Sequence, residues 1–180
     1  MNTVATATVS LGAVTIGLGI AAWHISRWWK GGGGAKAGPP GAGGGGRDPK
    51  VLIPFLSSVA LGMLCVTAAG GLLGTAAMML LDAGSTLGNW SLTAVTGTAT
   101  PGVTRSGQKS LTPGGSAALV IYVVVIAAIW KSGGKVFHGK VTSGVTCGVM
   151  LGLSAGFSGV AAAAVVSIFN ALGDKVTGVM

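Results

Sequence analysis

Residues 51–81 read VLIPFLSSVALGMLCVTAAGGLLGTAAMMLL, a run of apolar and small residues without one charged side chain. A helix of about 20 apolar residues crosses the hydrocarbon core of a bilayer, so this stretch points to a membrane-embedded chain. It is also too long for one upright span. It must tilt, extend past the headgroups or break, and Gly70-Gly71 is where a break would fall. Such a break would create two half-helices and a re-entrant loop, and would reverse the direction of everything after it.

Three further apolar segments flank this run, at about residues 3–23, 116–130 and 141–172. The third is short unless its helix starts near Pro113-Gly114-Gly115. The expected fold is therefore all-α and polytopic, with about four transmembrane helices. Its parts are a first transmembrane helix at 1–30 with a basic and aromatic end, and a Gly-rich flexible linker at 31–50. A second transmembrane helix at 51–81 and a Thr/Ser/Gly-rich external loop at 82–115 follow. A helical hairpin at 116–180, with a basic turn at 131–140, completes the chain.

Composition supports a lipid-facing surface. Charged residues make up 8% of the chain, where soluble domains carry about a quarter. The few charges are lopsided, with eleven Lys and Arg against three Asp and no Glu. Such a balance favours anionic partners, either phospholipid headgroups or nucleic acid. The glycines follow no three-residue period, which excludes collagen. Cys65 and Cys147 lie inside apolar segments, away from His, and read as packing residues rather than a disulfide or metal site.

Charge also sets the expected orientation. Arg27, Lys30, Lys36, Arg47 and Lys50 lie between the first two segments, and Lys131, Lys135 and Lys140 between the last two. With four crossings these eight share one side, against Arg105, Lys109 and Lys175 on the other. The positive-inside rule then puts both basic loops in the cytoplasm and both termini outside, in a multi-pass protein of the cell membrane. Met1-Asn2-Thr3 carries no basic side chain, so the first segment reads as a retained helix and not a cleaved signal. Trp23, Trp28, Trp29 and Trp130 stand at basic segment ends, as an interfacial aromatic belt would. Arg27, Lys30, Lys131, Lys135 and Lys140 are the candidate contacts for phosphate or lipid headgroups.

The sharpest motif is Gly144, Gly148, Gly152 and Gly156, four glycines at unbroken four-residue spacing. On a helix they make a groove without side chains, which lets another backbone approach closely in lipid. Gly70 and Gly74 repeat the spacing once. These six glycines are expected at helix contacts, either within one chain or between copies in a homo-oligomer. Residues 134–141, GKVFHGKV, approach a P-loop, but Val141 stands where the motif needs Ser or Thr for magnesium. Asn89-Trp90-Ser91 matches a glycosylation acceptor tripeptide, a pattern that chance supplies often.

Catalytic constellations are missing from the sequence. The three Asp lie at segment ends, and His24 and His138 sit at basic interfaces. No enzyme, cofactor, metal site or small-molecule substrate is expected. Gly/Ala/Val/Thr richness, the lack of Glu and basic loops such as Lys131-Ser132-Gly133-Gly134-Lys135 resemble the small hydrophobic spread proteins of actinobacterial conjugative plasmids. The resemblance is one of overall character along the whole chain, without a diagnostic motif. It implies a membrane component of DNA transfer, whose basic loops approach DNA phosphates or a DNA-translocating partner. Two alternatives stand beside it. A helical hairpin with a basic tip is similar to conjugative pilins, implying a filament or virion subunit, although this chain carries two extra segments. Small size, several apolar segments and one basic end are also features of phage holins.

Overall fold

A computed structural model describes residues 8–30, 52–68, 71–99, 101–104, 111–132, 134–154 and 157–178. Among these, the chain forms six helices and one pair of three-residue strands. Strand β1 is Thr8–Ser10, followed by helix α1, Leu11–Trp29. Helices α2 (Ile53–Thr67) and α3 (Gly71–Thr96) precede strand β2 (Gly102–Thr104). Helices α4 (Pro113–Ser132), α5 (Lys135–Gly152) and α6 (Phe157–Thr177) complete the order.

The first apolar segment is not one continuous helix. Residues 8–10 are extended and pair antiparallel with 102–104. Ser10 then starts α1, its hydroxyl accepting the Ala13 N–H at 3.2 Å, as an N-cap serine does. The helix runs 19 residues to Trp29, and its last turns carry His24 and Arg27.

The second segment does break. α2 opens with Pro54 in its first turn, where a missing N–H costs nothing, and ends at Thr67. Ala68 takes an extended conformation, and α3 starts on Gly71 at φ +77°, a left-handed backbone that suits glycine. The two helices are bent by 104° at this point. The single helix expected over 51–81 is thus two helices, Ile53–Thr67 and Gly71–Thr96, as the break at Gly70-Gly71 would give.

The expected external loop at 82–115 is also corrected, since α3 continues to Thr96. The reason is periodic. Gly74, Ala77, Leu81, Gly84 and Gly88 are buried at spacings of three and four, while Asp82 and Thr86 project outward. A composition that reads as loop-like therefore carries a small-residue helix face. Gly97, at φ +69°, ends the helix as a C-terminal glycine, its N–H bonding the Thr93 carbonyl at 2.8 Å.

The expected helical hairpin over 116–180 resolves into three helices. The basic turn at 131–140 shrinks to the junction before Gly134, because Lys135 to Lys140 already belong to α5. The fourth apolar segment divides again after Gly152, where Leu153 caps α5 before α6 begins. α5 packs chiefly on α2, and α4 on α6, so the hairpin neighbours are not each other's main partners.

The α4–α6 contact is sealed at one end by a polar clasp. The Thr112 hydroxyl accepts the Gly115 N–H at 3.0 Å and donates to Asp174 Oδ1 at 2.9 Å. Asn170 Oδ1 accepts the Thr112 N–H at 3.0 Å. A carboxylate beside the start of α4 also suits the positive end of that helix dipole. Thr112→Val should lower stability by roughly 1–2 kcal/mol, the worth of a lost N-cap side chain, read as a shift in detergent melting.

Two helices are long and apolar enough to cross a membrane: α4 and residues 159–177 of α6. The bent pair α2 and α3 together supply a third candidate span. α1 and α5 fall outside this set, since each devotes about two turns to a basic, interface-like end. The helices thus provide two or three candidate spans against the four counted from apolar segments. Only 22% of each of the α4 and α6 windows is buried, and Val120, Val124, Ile168 and Leu172 face outward. An outer surface of that kind is compatible with hydrocarbon and costly in water.

Candidate functional site

Several helices meet through glycine. Gly144 faces Ser58 and the Phe55 carbonyl, Gly148 faces the Val59 backbone, and Gly152 lies against Met63. A Cβ at Gly152 would stand 3.1 Å from Met63 Cα. Gly62 answers from α2, where an added Cβ would come within 3.0 Å of Gly148 Cα. The advancing order of these contacts shows that α2 and α5 run parallel. The stripe is therefore occupied by this chain's own α2.

Gly74 sits against the Ala68 carbonyl, in the angle between α2 and α3. Gly70 and Gly156 lie outside the described residues. Two further seams go beyond the six glycines expected from spacing. Gly12 and Gly88 join α1 to α3, and Gly114 and Gly173 join α4 to α6. Gly84 and Gly88 do form a four-residue glycine pair, but within a segment whose composition reads as loop. Gly12, Gly62, Gly114 and Gly173 have no glycine four residues away on their own helix, so no local signal marks them.

The polar groups gather at one end of the bundle. His24 Nε2 lies 2.9 Å from Ser143 Oγ, joining the C-terminal half of α1 to the middle of α5. The same imidazole stacks on Phe55 of α2 at a centroid distance of 4.2 Å. Further along, Cys147 Sγ donates to the Gly17 carbonyl, so α1 runs antiparallel to α5. The C-terminal turn of α4 joins the same end, with His138 Nε2 lying 2.8 Å from the Trp130 carbonyl oxygen. The end of α1 and the starts of α2 and α5 therefore converge with the end of α4.

This convergence brings the predicted basic residues to one region. Arg27 and Lys30 end α1, Lys131 lies in the last turn of α4, and Lys135 and Lys140 begin α5. The His24 imidazole, beyond the apolar run of α1, is held below its ordinary pKa. Burial is the main cause, and Lys140 and Arg27 add repulsion toward a protonated ring. Trp23, Trp29 and Trp130 are exposed around this end, at 63%, 60% and 44%. Trp28 packs edge-on against Trp29.

Two sequence motifs fall on helices here. Residues 134–141 form the N-cap and the first turns of α5. Asn89 lies within α3, and its side-chain oxygen is buried without a hydrogen-bond partner. Among the described residues, no group of three or more His, Cys, Asp or Glu is placed to hold a metal ion.

Compared with protein-family models, curated proteins and solved structures, the chain gave no match.

Proposed function

We propose that this chain is a non-enzymatic integral membrane protein that serves as a subunit of a membrane assembly, its basic end turned to the cytoplasm. The observation that carries this reading is the meeting of Arg27, Lys30, Lys131, Lys135 and Lys140 at one end of an otherwise apolar bundle. Conjugative DNA transfer is the process that the compositional resemblance supports. The outward apolar faces of α4 and α6 are the surfaces left for other copies, because the glycine stripe is covered by α2.

In this proposal α4 and α6 span the bilayer, and α1, α2 and α5 pack beside them. A four-crossing topology would require α1 to run opposite to α2 and α5, and the pairing of these helices supports that sense. Length argues against it. α2 has 15 residues, about 22 Å of helix, and residues 141–152 of α5 give only about 18 Å, against a hydrocarbon core of ~30 Å.

Cysteine labelling tests the orientation. Lys30→Cys and Lys131→Cys should react with a membrane-impermeant maleimide only in inverted vesicles. Thr98→Cys and Thr177→Cys should react only in right-side-out vesicles, with buried Cys65 and Cys147 as a silent background. Labelling of the Lys30→Cys and Lys131→Cys variants from opposite sides would rule out a shared basic end, and full extraction by alkaline carbonate would rule out integration.

A further inference from the structure

We infer that the basic end is a docking surface for the headgroups of anionic phospholipids, centred on the α1–α5 junction between Arg27 and Lys140. The inference rests on the membrane reading above and names the partner of that end.

Charge comes first. Among the described residues, this end gathers five Lys and Arg, at 27, 30, 131, 135 and 140, and no carboxylate. The end is therefore strongly cationic. Each such cation near an anionic bilayer surface contributes about 1 kcal/mol of attraction.

The local geometry then concentrates the charge. The contact between His24 and Ser143 holds α1 against α5. Arg27 lies three residues beyond His24, and Lys140 three residues before Ser143, so the two cations flank the same contact. Both repel the protonated form of the His24 ring, so positive potential from the two helices converges on this contact. A phosphodiester there would add to whatever bonds each already makes.

The surroundings distinguish a lipid from other phosphate carriers. Trp23, Trp29 and Trp130 are exposed on the helices that carry the cations, as are Leu18, Ile25 and Ile129, and Ile53 and Leu56 are exposed at the start of α2. A ligand covering this region must carry phosphate and hydrocarbon together. Phospholipids do, with tryptophan preferring the boundary between the two. A DNA duplex offers phosphate but nothing to cover the rings and aliphatic side chains.

The test uses the full chain reconstituted in phosphatidylcholine vesicles containing trace spin-labelled phosphatidylglycerol or spin-labelled phosphatidylcholine. Labelled phosphatidylglycerol should be immobilised preferentially, with the preference falling as salt rises. Arg27→Gln with Lys140→Gln should cut that preference by roughly fivefold per cation removed, whereas Lys175→Gln at the other end of α6 should leave it unchanged. Should the double variant lose its helical circular dichroism, the wild-type salt titration alone decides. Flotation with the vesicles but equal immobilisation of both labels would overturn this inference and leave the membrane reading intact. Failure to float with phosphatidylcholine vesicles would overturn both. Displacement of labelled phosphatidylglycerol by a short DNA duplex at equal salt would replace lipid with nucleic acid as the partner.

Discussion

Gly148→Leu should destabilise the monomer by about 3 kcal/mol, at the upper end of what an overpacked interior costs. The new side chain would meet the Val59 backbone, which cannot rotate away as a side-chain tip can. Leucine is the better helix former by about 1 kcal/mol, but that gain is too small to offset separation of the two helices. Gly139→Leu, on the same helix with open space around it, isolates the propensity term and should be neutral to stabilising. Unfolding by a denaturing detergent, followed through helical circular dichroism, reads both variants. The loss at Gly148 should be independent of protein concentration, because the stripe meets α2 of the same chain. A loss that disappears on dilution would place the contact between copies instead.

Gly173→Leu should cost a similar amount, about 3 kcal/mol, but the damage should be local. Its added bulk would strike the backbone of Gly114 and Gly115, forcing α4 and α6 apart at their polar clasp. The bonds from Thr112 to Asp174, Asn170 and Gly115 would be strained or lost with it. α4 and α6 pack on each other more extensively than either packs on the rest. Hydrogen exchange should therefore accelerate in the first turn of α4 and the last turns of α6, while α2 and α5 keep their protection. Equal acceleration across all six helices would mean that the bundle unfolds as one unit.

The two substitutions probe seams that differ in how readable they are. Gly144, Gly148 and Gly152 announce a helix face through spacing alone, since residues four apart stack on one side of any helix. Gly114 and Gly173 announce nothing, because neither has a second glycine at helical spacing and each finds its partner on a different helix. The same limit applies to Gly12. In the basic end, Arg27, Lys30, Lys131, Lys135 and Lys140 are visible as charges, but the link between His24 and Ser143 joins residues 119 apart. No local pattern carries that pairing.

Boundaries shift where composition and periodicity disagree. Residues 82–96 are rich in Thr, Ser and Gly, which suggests a loop, yet Gly84 and Gly88 continue the buried face begun by Gly74, Ala77 and Leu81. Glycine is a weak helix former by itself, and the tight approach to α1 at Gly12 is what rewards it here. Likewise the uncharged run at 51–81 permits a tilt or a break. Hydropathy cannot separate the two, because both keep the same residues in the same apolar environment.

By itself, the sequence determined the class of this protein: helical, apolar on its surface, and basic at particular segment ends. Those properties are sums over local residues, and transfer energies and helix spacing act on each stretch independently of its partners. The tertiary structure decided which surfaces meet. It turned the glycine stripe inward onto α2, divided the second and fourth apolar runs, and drew the basic residues of three helices to one end. Such choices depend on close backbone approach between distant segments, and a stripe of glycines reads the same whether its own chain or another covers it.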